Sequence, residues 1–263
     1  EVKRATERFG AHRVAFVFGG CTGGMQETER VYDELSSQRV APDYSFDAQH
    51  PLDASLRTLA RFFGVTGPSM VISTACSSSA KAIATAHRWM AADLADAVIV
   101  GGADSLCLMT LYGFNTLGAM SPVATRPFSK DRDGLTLGEG AGFLLLEKDA
   151  RAEVYTAGVG ETSDAYHLSS PSPDGEGIVL AMRRALAQAG LDQKDIDHVN
   201  AHGTGTRHND LAEGLALSAL FGADVPVTST KALTGHLLGA AGVTEIILAA
   251  ETLARGLIPP TVG

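Results

Sequence analysis

"VISTACSSSAKAIATA", residues 71–86, is the stretch on which the reading of the fold turns. An apolar, β-branched run passes through a turn of small residues and enters an alanine-rich stretch, which reads as strand, turn and helix. The turn carries Cys76. A cysteine in this setting is either a small buried core residue, a common fate of the type, or a thiol held at the start of a helix. There, free backbone N–H groups and the positive end of the helix dipole lower a thiol pKa from ~8.5 to about 3.5–7.5. The same N–H groups suit an oxygen that turns negative during acyl transfer. The residues of this stretch leave both readings open.

Working outward, "RVAFVF" (13–18), "MVIST" (70–74), "DAVIVGGA" (96–103), "GFLLLE" (142–147), "IDHVNAH" (196–202) and "VPVTST" (225–230) read as strands. They barely alternate, which predicts that most are buried on both faces. Between them lie amphipathic stretches such as "GIVLAMRRALAQAG" (177–190), closing on a glycine suited to a helix C-cap. Strands alternating with helices predict an α/β protein. A weak repeat reinforces this, because "VTSTKALTGHLLGAAG" (227–242) shares V-x-S-T with the opening stretch and also runs into a small-residue helix. Two such units predict duplicated halves. "SSQRVAPDYSFDAQHP" (36–51) is polar, has two prolines and no clear period, and is expected to be the least ordered segment.

Composition sets limits. At 263 residues, 45% hydrophobic and 19% charged, the chain fits a globular protein of one large or two medium units. It has no run of apolar residues long enough for a membrane span, and "EVKRATERFG" lacks a signal-peptide core. The missing initiator Met fits a piece of a longer protein. Three cysteines, Cys21, Cys76 and Cys107, form an odd set without metal-ligand spacing, which points to a reducing cytoplasm and no metal. A net charge of −9 argues against a nucleic-acid partner.

Two histidines stand apart. "NAHGTGT" (200–206) places His202, and "STKALTGHLLGAAG" (229–242) places His236, beside glycines at expected strand-to-helix corners, where α/β folds set their sites. His12, His50, His87 and His208 read as surface or core residues. Lys231, five residues before His236, reads equally as a site residue or a surface lysine, and Glu245 is spaced to pair with it. Cys107 in "SLCLM" and Cys21 in "GGCTGG" read as packing residues.

"TACSSS", "RPFSKDRDGLTLGEGAG", "SDAYH", "NAHGTGT" and "STKALTGHLLGAAG", in this order, resemble the β-ketoacyl-acyl-carrier-protein synthases, the condensing enzymes of fatty-acid and polyketide synthesis. The resemblance runs from about residue 13 to 262. It implies a thiolase-like, five-layered αβαβα fold of two halves, residues 1–147 with the nucleophile and 148–263 with the two histidines. By this resemblance Cys76 accepts an acyl chain from the phosphopantetheine thiol of an acyl carrier protein. His202 and His236 then bind the malonyl thioester and assist its decarboxylation. Lys231 supports the site electrostatically, with Glu245 as its carboxylate partner. Thr204 and Thr206 hold the pantetheine arm. Phe114, in "YGFNTLG", matches a wall of the acyl tunnel and Thr22 its floor near a dimer contact. Leu135 stands where the family has Phe, a change expected to widen the pocket mouth or alter its gate. No tightly bound cofactor is implied. The expected partners are the carrier and either a second copy or a heterodimer subunit.

The chain departs from the family in lacking a "VTGLG"-like first strand, in stopping before the "GFGGTN" segment, and in a short stretch after "LLLEKDA". The resemblance therefore implies a folded unit larger than the printed chain. A non-catalytic chain-length subunit shares the fold, but there the nucleophile is lost. Thiolases lack the paired "HGTGT" and "TGH" histidines. A cysteine hydrolase would need an Asn or Asp to orient a histidine, and no such residue is marked.

Overall fold

The computed structural model describes residues 1–38, 43–148, 151–167 and 169–263. Packing divides the chain into two compact units, Glu1–Phe114 with Gly138–Arg151 and Leu237–Ile247, and Asn115–Leu137 with Ala152–His236 and Leu248–Gly263.

In the first unit, α1 (Val2–Phe9) leads into β1 (Val14–Gly19), followed by α2 (Met25–Ser36), α3 (Phe46–Gln49) and α4 (Asp53–Phe63). Then come β2 (Ser69–Ile72), α5 (Ser78–Ala91), β3 (Ala97–Asp104), α6 (Leu108–Thr116) and β4 (Gly140–Glu147). The sheet order is β2-β1-β3-β4. β1 runs parallel to both neighbours, with Phe16 opposite Ser69 and Ile99, and β4 is antiparallel to β3.

The two central strands explain why the sequence fails to alternate. Val14, Phe16 and Phe18 pack on one side with Ile99, Ala5 of α1 and Leu56 of α4. Ala15 and Val17 pack on the other with Val98, Val100 and Ala82, Ile83 and Ala86 of α5. Both faces are dry, as in parallel sheets covered by helices. The expectation of burial on both faces holds for β1 and β3 and fails at the edges, where Met70 is 44% and Phe143 40% exposed. An edge strand has a neighbour on one side alone, so its apolar residues are only partly covered.

Gly19 fixes how closely α5 approaches β1. A Cβ there would sit 2.4 Å from the Ser79 backbone nitrogen, so only glycine lets the first turn of α5 lie against the strand end. The turn carrying Cys76 is placed by that contact. Within the segment expected to be least ordered, residues 46–49 form α3, while residues 39–42 lie outside the described residues.

In the second unit, α7 (Glu176–Ala189) ends at Gly190, whose left-handed conformation (φ 68°) returns its N–H to the last carbonyls, as its sequence predicts. β5 (Val199–Asn200), α8 (Arg207–Phe221), β6 (Val227–Thr228) and α9 (Lys231–Thr234) follow. α10 (Ala241–Arg255) begins among residues of the first unit. β5 and β6 pair in parallel, Val199 opposite Val227. The apolar runs around them are longer than the paired segments, and the surplus forms the loop that carries His202 and the link from β6 to α9, which opens at Lys231. Among the described residues, no helix is long and apolar enough to cross a membrane.

Phe16 is fully buried, with its ring 6.2 Å from that of Phe143. Phe16→Ala is expected to destabilise the chain by about 3–5 kcal/mol, the usual cost of emptying an aromatic core site. The shift of the urea midpoint measures it.

Candidate active site

Cys76 lies two residues before α5 and is half-buried. The residue before it, Ala75, has φ 54°, a left-handed conformation that costs an alanine about 1–2 kcal/mol. Its carbonyl accepts the Ser78 N–H at 3.0 Å and the Ser78 hydroxyl at 2.6 Å, which tightens the turn. Cys76 is thereby left at the N-terminal end of α5, two residues before its first turn.

The other cysteines have different surroundings. The Cys21 thiol is pushed up to about 11, first by burial and then by the Asp104 carboxylate. Cys107 is buried, with its sulfur 3.3 Å from the Thr110 hydroxyl. Asp104, itself buried at the end of β3, accepts the N–H groups of Cys21 and Thr22 (each 2.8 Å), the Thr22 hydroxyl (2.9 Å) and the Gly239 N–H (2.7 Å). The hydroxyl of Thr22 is thus held by Asp104. Phe114 on α6 and Glu245 on α10 are both half-buried.

In the second unit the segment 200–206 leaves β5 and is gripped by two carboxylates of α8. Glu213 accepts the N–H groups of His202 (2.6 Å) and Gly203 (2.8 Å). Asp210 accepts those of Phe128 (2.7 Å) and Gly205 (3.1 Å). Three residues apart on one helix, they face the same way. Burial raises the proton affinity of Glu213 against the pull of these backbone donors. The sequence reading passed over both residues. Their signal is an N-D-x-x-E run directly after the glycine-rich segment, with acidic groups on the side of α8 that is buried. Gly205 has φ 77°, and a Cβ there would lie 2.2 Å from the Thr125 hydroxyl oxygen. The hydroxyls of Thr204 and Thr206 are 2.8 Å apart.

Lys231 opens α9 and is 1% exposed, so the surface reading fails. Its Nζ donates to the His202 carbonyl at 2.6 Å and lies 3.1 Å from Nδ1 of the same residue. An ammonium can only donate, so Nδ1 accepts and the ring proton of His202 sits on Nε2. His236 is not at a strand-to-helix corner. It follows the Gly235 cap of α9, and its N–H bonds Thr136 O at 2.8 Å beside an isolated bridge to Leu137, because the chain there closes a short helix before α10 begins. The two imidazole rings are 5.4 Å apart and nearly perpendicular, at 87°. Burial, then Lys231 and His236, hold His202 well below the ordinary histidine range. Burial, then Lys231, bring His236 down to about 4. Both rings are neutral near pH 7, and His202 presents an N–H. Leu135 is buried, and its N–H bonds Ala119 O at 2.8 Å.

The strand-turn-helix units and the paired histidines belong to a thiolase-like α/β fold of the ketosynthase type. Residues 4–152 match the family model "Beta-ketoacyl synthase, N-terminal domain", and residues 152–263 match "Beta-ketoacyl synthase, C-terminal domain". The chain belongs to the β-ketoacyl synthase family. It is 37% identical over 273 residues to 3-oxoacyl-[acyl-carrier-protein] synthase 2 of Vibrio cholerae, covering 96% of this chain and 66% of that protein. A chain of the solved complex of the ketosynthase ApeO with its chain length factor ApeC, from Xenorhabdus doucetiae, superposes with a TM-score of 0.94. It is 41% identical, over 98% of this chain and 65% of that one. A β-ketoacyl synthase from Burkholderia phymatum gives a TM-score of 0.87 at 30% identity, over 99% and 70% of the two chains. The chain thus spans about two thirds of the length of its relatives.

Because the folded His236 titrates near 4 and an unfolded histidine near 6.5, the unfolded chain binds more protons between these values. This contribution to stability is complete above about pH 6.5 and is lost as the pH falls toward 4. His236→Gln should flatten the fall in melting temperature between those pH values relative to wild type. An unchanged slope would place the titration elsewhere.

Proposed function

We propose that the chain carries the condensing centre of a β-ketoacyl-acyl-carrier-protein synthase, which lengthens a fatty-acid or polyketide chain by two carbons. The contact that carries this reading is Lys231 Nζ at 3.1 Å from His202 Nδ1, which makes a half-buried, neutral imidazole into an Nε2–H donor. A neutral donor binds an oxygen that gains charge, without itself supplying a competing base. The names of the relatives, a 3-oxoacyl-[acyl-carrier-protein] synthase and a ketosynthase with its chain length factor, support the same chemistry.

The steps follow from the groups present. The Cys76 thiolate attacks the carbonyl of an acyl group carried on phosphopantetheine, the carbonyl–sulfur bond to pantetheine breaks, and the pantetheine sulfur leaves as a thiolate that takes up the proton Cys76 gave up. A malonyl thioester is then held through its carbonyl oxygen by the N–H groups of His202 and His236. Its carbon–carboxylate bond breaks, carbon dioxide departs, and the electron pair is held as an enolate at that oxygen. The enolate carbon attacks the Cys76 thioester, the sulfur leaves as thiolate, and the lengthened chain remains on the carrier. Burial, reinforced by Lys231, keeps both rings neutral, and Glu213 holds the His202 backbone in place. Thr204 and Thr206 bind the pantetheine arm, and Glu245 is the carboxylate partner of Lys231. Phe114, Thr22 and Leu135 shape the acyl pocket.

In this reading residues 1–147 supply the nucleophile and 148–263 the histidines. The second subunit is a copy of the chain or a chain-length partner. The setting is a reducing cytoplasm, the reading that an odd set of three cysteines without metal-ligand spacing supports.

Cys76→Ala should abolish the acyl adduct seen by intact mass after incubation with acyl-carrier protein, whereas Cys21→Ala and Cys107→Ala retain it. An adduct that survives Cys76→Ala would move the nucleophile elsewhere.

His202→Ala and His236→Ala should still acylate Cys76. Each should release carbon dioxide from malonyl carrier about a hundred- to a thousandfold more slowly, the usual cost of one lost oxyanion donor. Undiminished carbon dioxide release in both variants would sink the decarboxylative mechanism.

A further inference from the structure

The peptide that presents Cys76 is crowded with donors. The Ala75 carbonyl accepts the Ser78 N–H at 3.0 Å, the Ser78 hydroxyl at 2.6 Å and the Cys21 thiol at 3.3 Å. The Ser78 hydroxyl oxygen also accepts the Thr74 N–H at 2.9 Å and lies 3.7 Å from the Cys21 sulfur. Ser78 is fully buried. Cys21 is itself fixed through its backbone N–H, 2.8 Å from an oxygen of Asp104. Ala75 sits at φ 54°, a conformation that persists in an alanine only where its surroundings over-determine it. Two side chains distant in sequence therefore meet on the carbonyl bonded to the Cys76 nitrogen.

We propose that Ser78 and Cys21 are positioning residues for Cys76, gripping the Ala75 carbonyl so that the turn aims the nucleophile at the N–H groups opening α5. This rests on the reading of Cys76 as the acyl-accepting thiol. Cys21 suits the task because burial keeps its thiol protonated, a donor rather than a rival nucleophile. Without the grip, Ala75 relaxes toward negative φ and Cys76 swings away from the helix end. The thiolate then loses the dipole that favours it.

Alkylation by iodoacetamide tests the idea on the whole chain, since the three cysteines fall in separate tryptic peptides. Rates at Cys76 are followed from acid to alkaline pH in wild type, Ser78→Ala, Cys21→Val and Cys21→Ser, with a thermal melt of each. Ser78→Ala should slow Cys76 alkylation at pH 7 by about tenfold and Cys21→Val by about threefold, the range expected for losing one hydrogen bond and one weaker S–H donor. Both should raise the midpoint of the pH profile, and Cys21→Ser should restore it. If Ser78→Ala does not fold, the comparison of Cys21→Val with Cys21→Ser decides. Folded variants with the wild-type rate and midpoint at Cys76 would overturn the proposal, whatever their melting temperatures. A wild-type Cys76 no more reactive than Cys107 would instead overturn the nucleophile assignment, and the positioning role with it.

Discussion

The ammonium of Lys231, lodged against the Nδ1 and carbonyl oxygen of His202, is the contact on which the arrangement of the second unit depends. A charge on a side chain 1% exposed is costly unless polar atoms surround it. Here the cost is met by placing two acceptors of one residue on the same Nζ. That choice orients the His202 ring, decides which nitrogen holds its proton, and adds to burial in keeping both imidazoles from charging. It also calls for negative potential nearby. Glu213 supplies some of it, and Lys231 in turn lowers the proton affinity that burial raises at Glu213. The carboxylate that orders the His202 backbone and the cation that orders its ring are thus tied to one another.

The first unit is governed by a different constraint, close approach. Gly19 lets the first turn of α5 touch the end of β1, and Asp104 at the end of β3 collects the amides of Cys21, Thr22 and Gly239. The turn before α5 is held on both sides as a result. The strained Ala75 peptide is a product of this framework rather than of its own sequence, since alanine has no intrinsic preference for φ 54°.

Much of this was legible in the residues. All six apolar runs contain paired strands, and the helix after Cys76 begins where the change from β-branched to small residues places it. The glycine closing α7 forms the expected cap. What was not legible arose from contacts between distant segments. Edge exposure of β2 and β4 depends on strand order, which no single strand encodes. Lys231 could not be told from a surface lysine, because its burial is decided by the loop carrying His202. Asp210 and Glu213 drew no reading at all, since nothing local says that their face of α8 meets a loop rather than water. His236 was misplaced because the short α9 intervenes, a single turn too brief for periodicity to register.

The grip of α8 has a consequence for cooperativity. Asp210 and Glu213 together hold four backbone amides, those of Phe128, His202, Gly203 and Gly205, from residues less than one turn apart. Loops usually open on their own at low free energy, well before the elements they join. Here, freeing the amide of His202, Gly203 or Gly205 means losing a contact to a buried carboxylate of α8. Loop and helix form one opening unit, and the site loop inherits the stability of the helix. Variation along α8 is then unevenly tolerated. Leu211 and Leu215, about half exposed, are open to change, while the two acidic positions between and beside them are bound to the loop's own integrity.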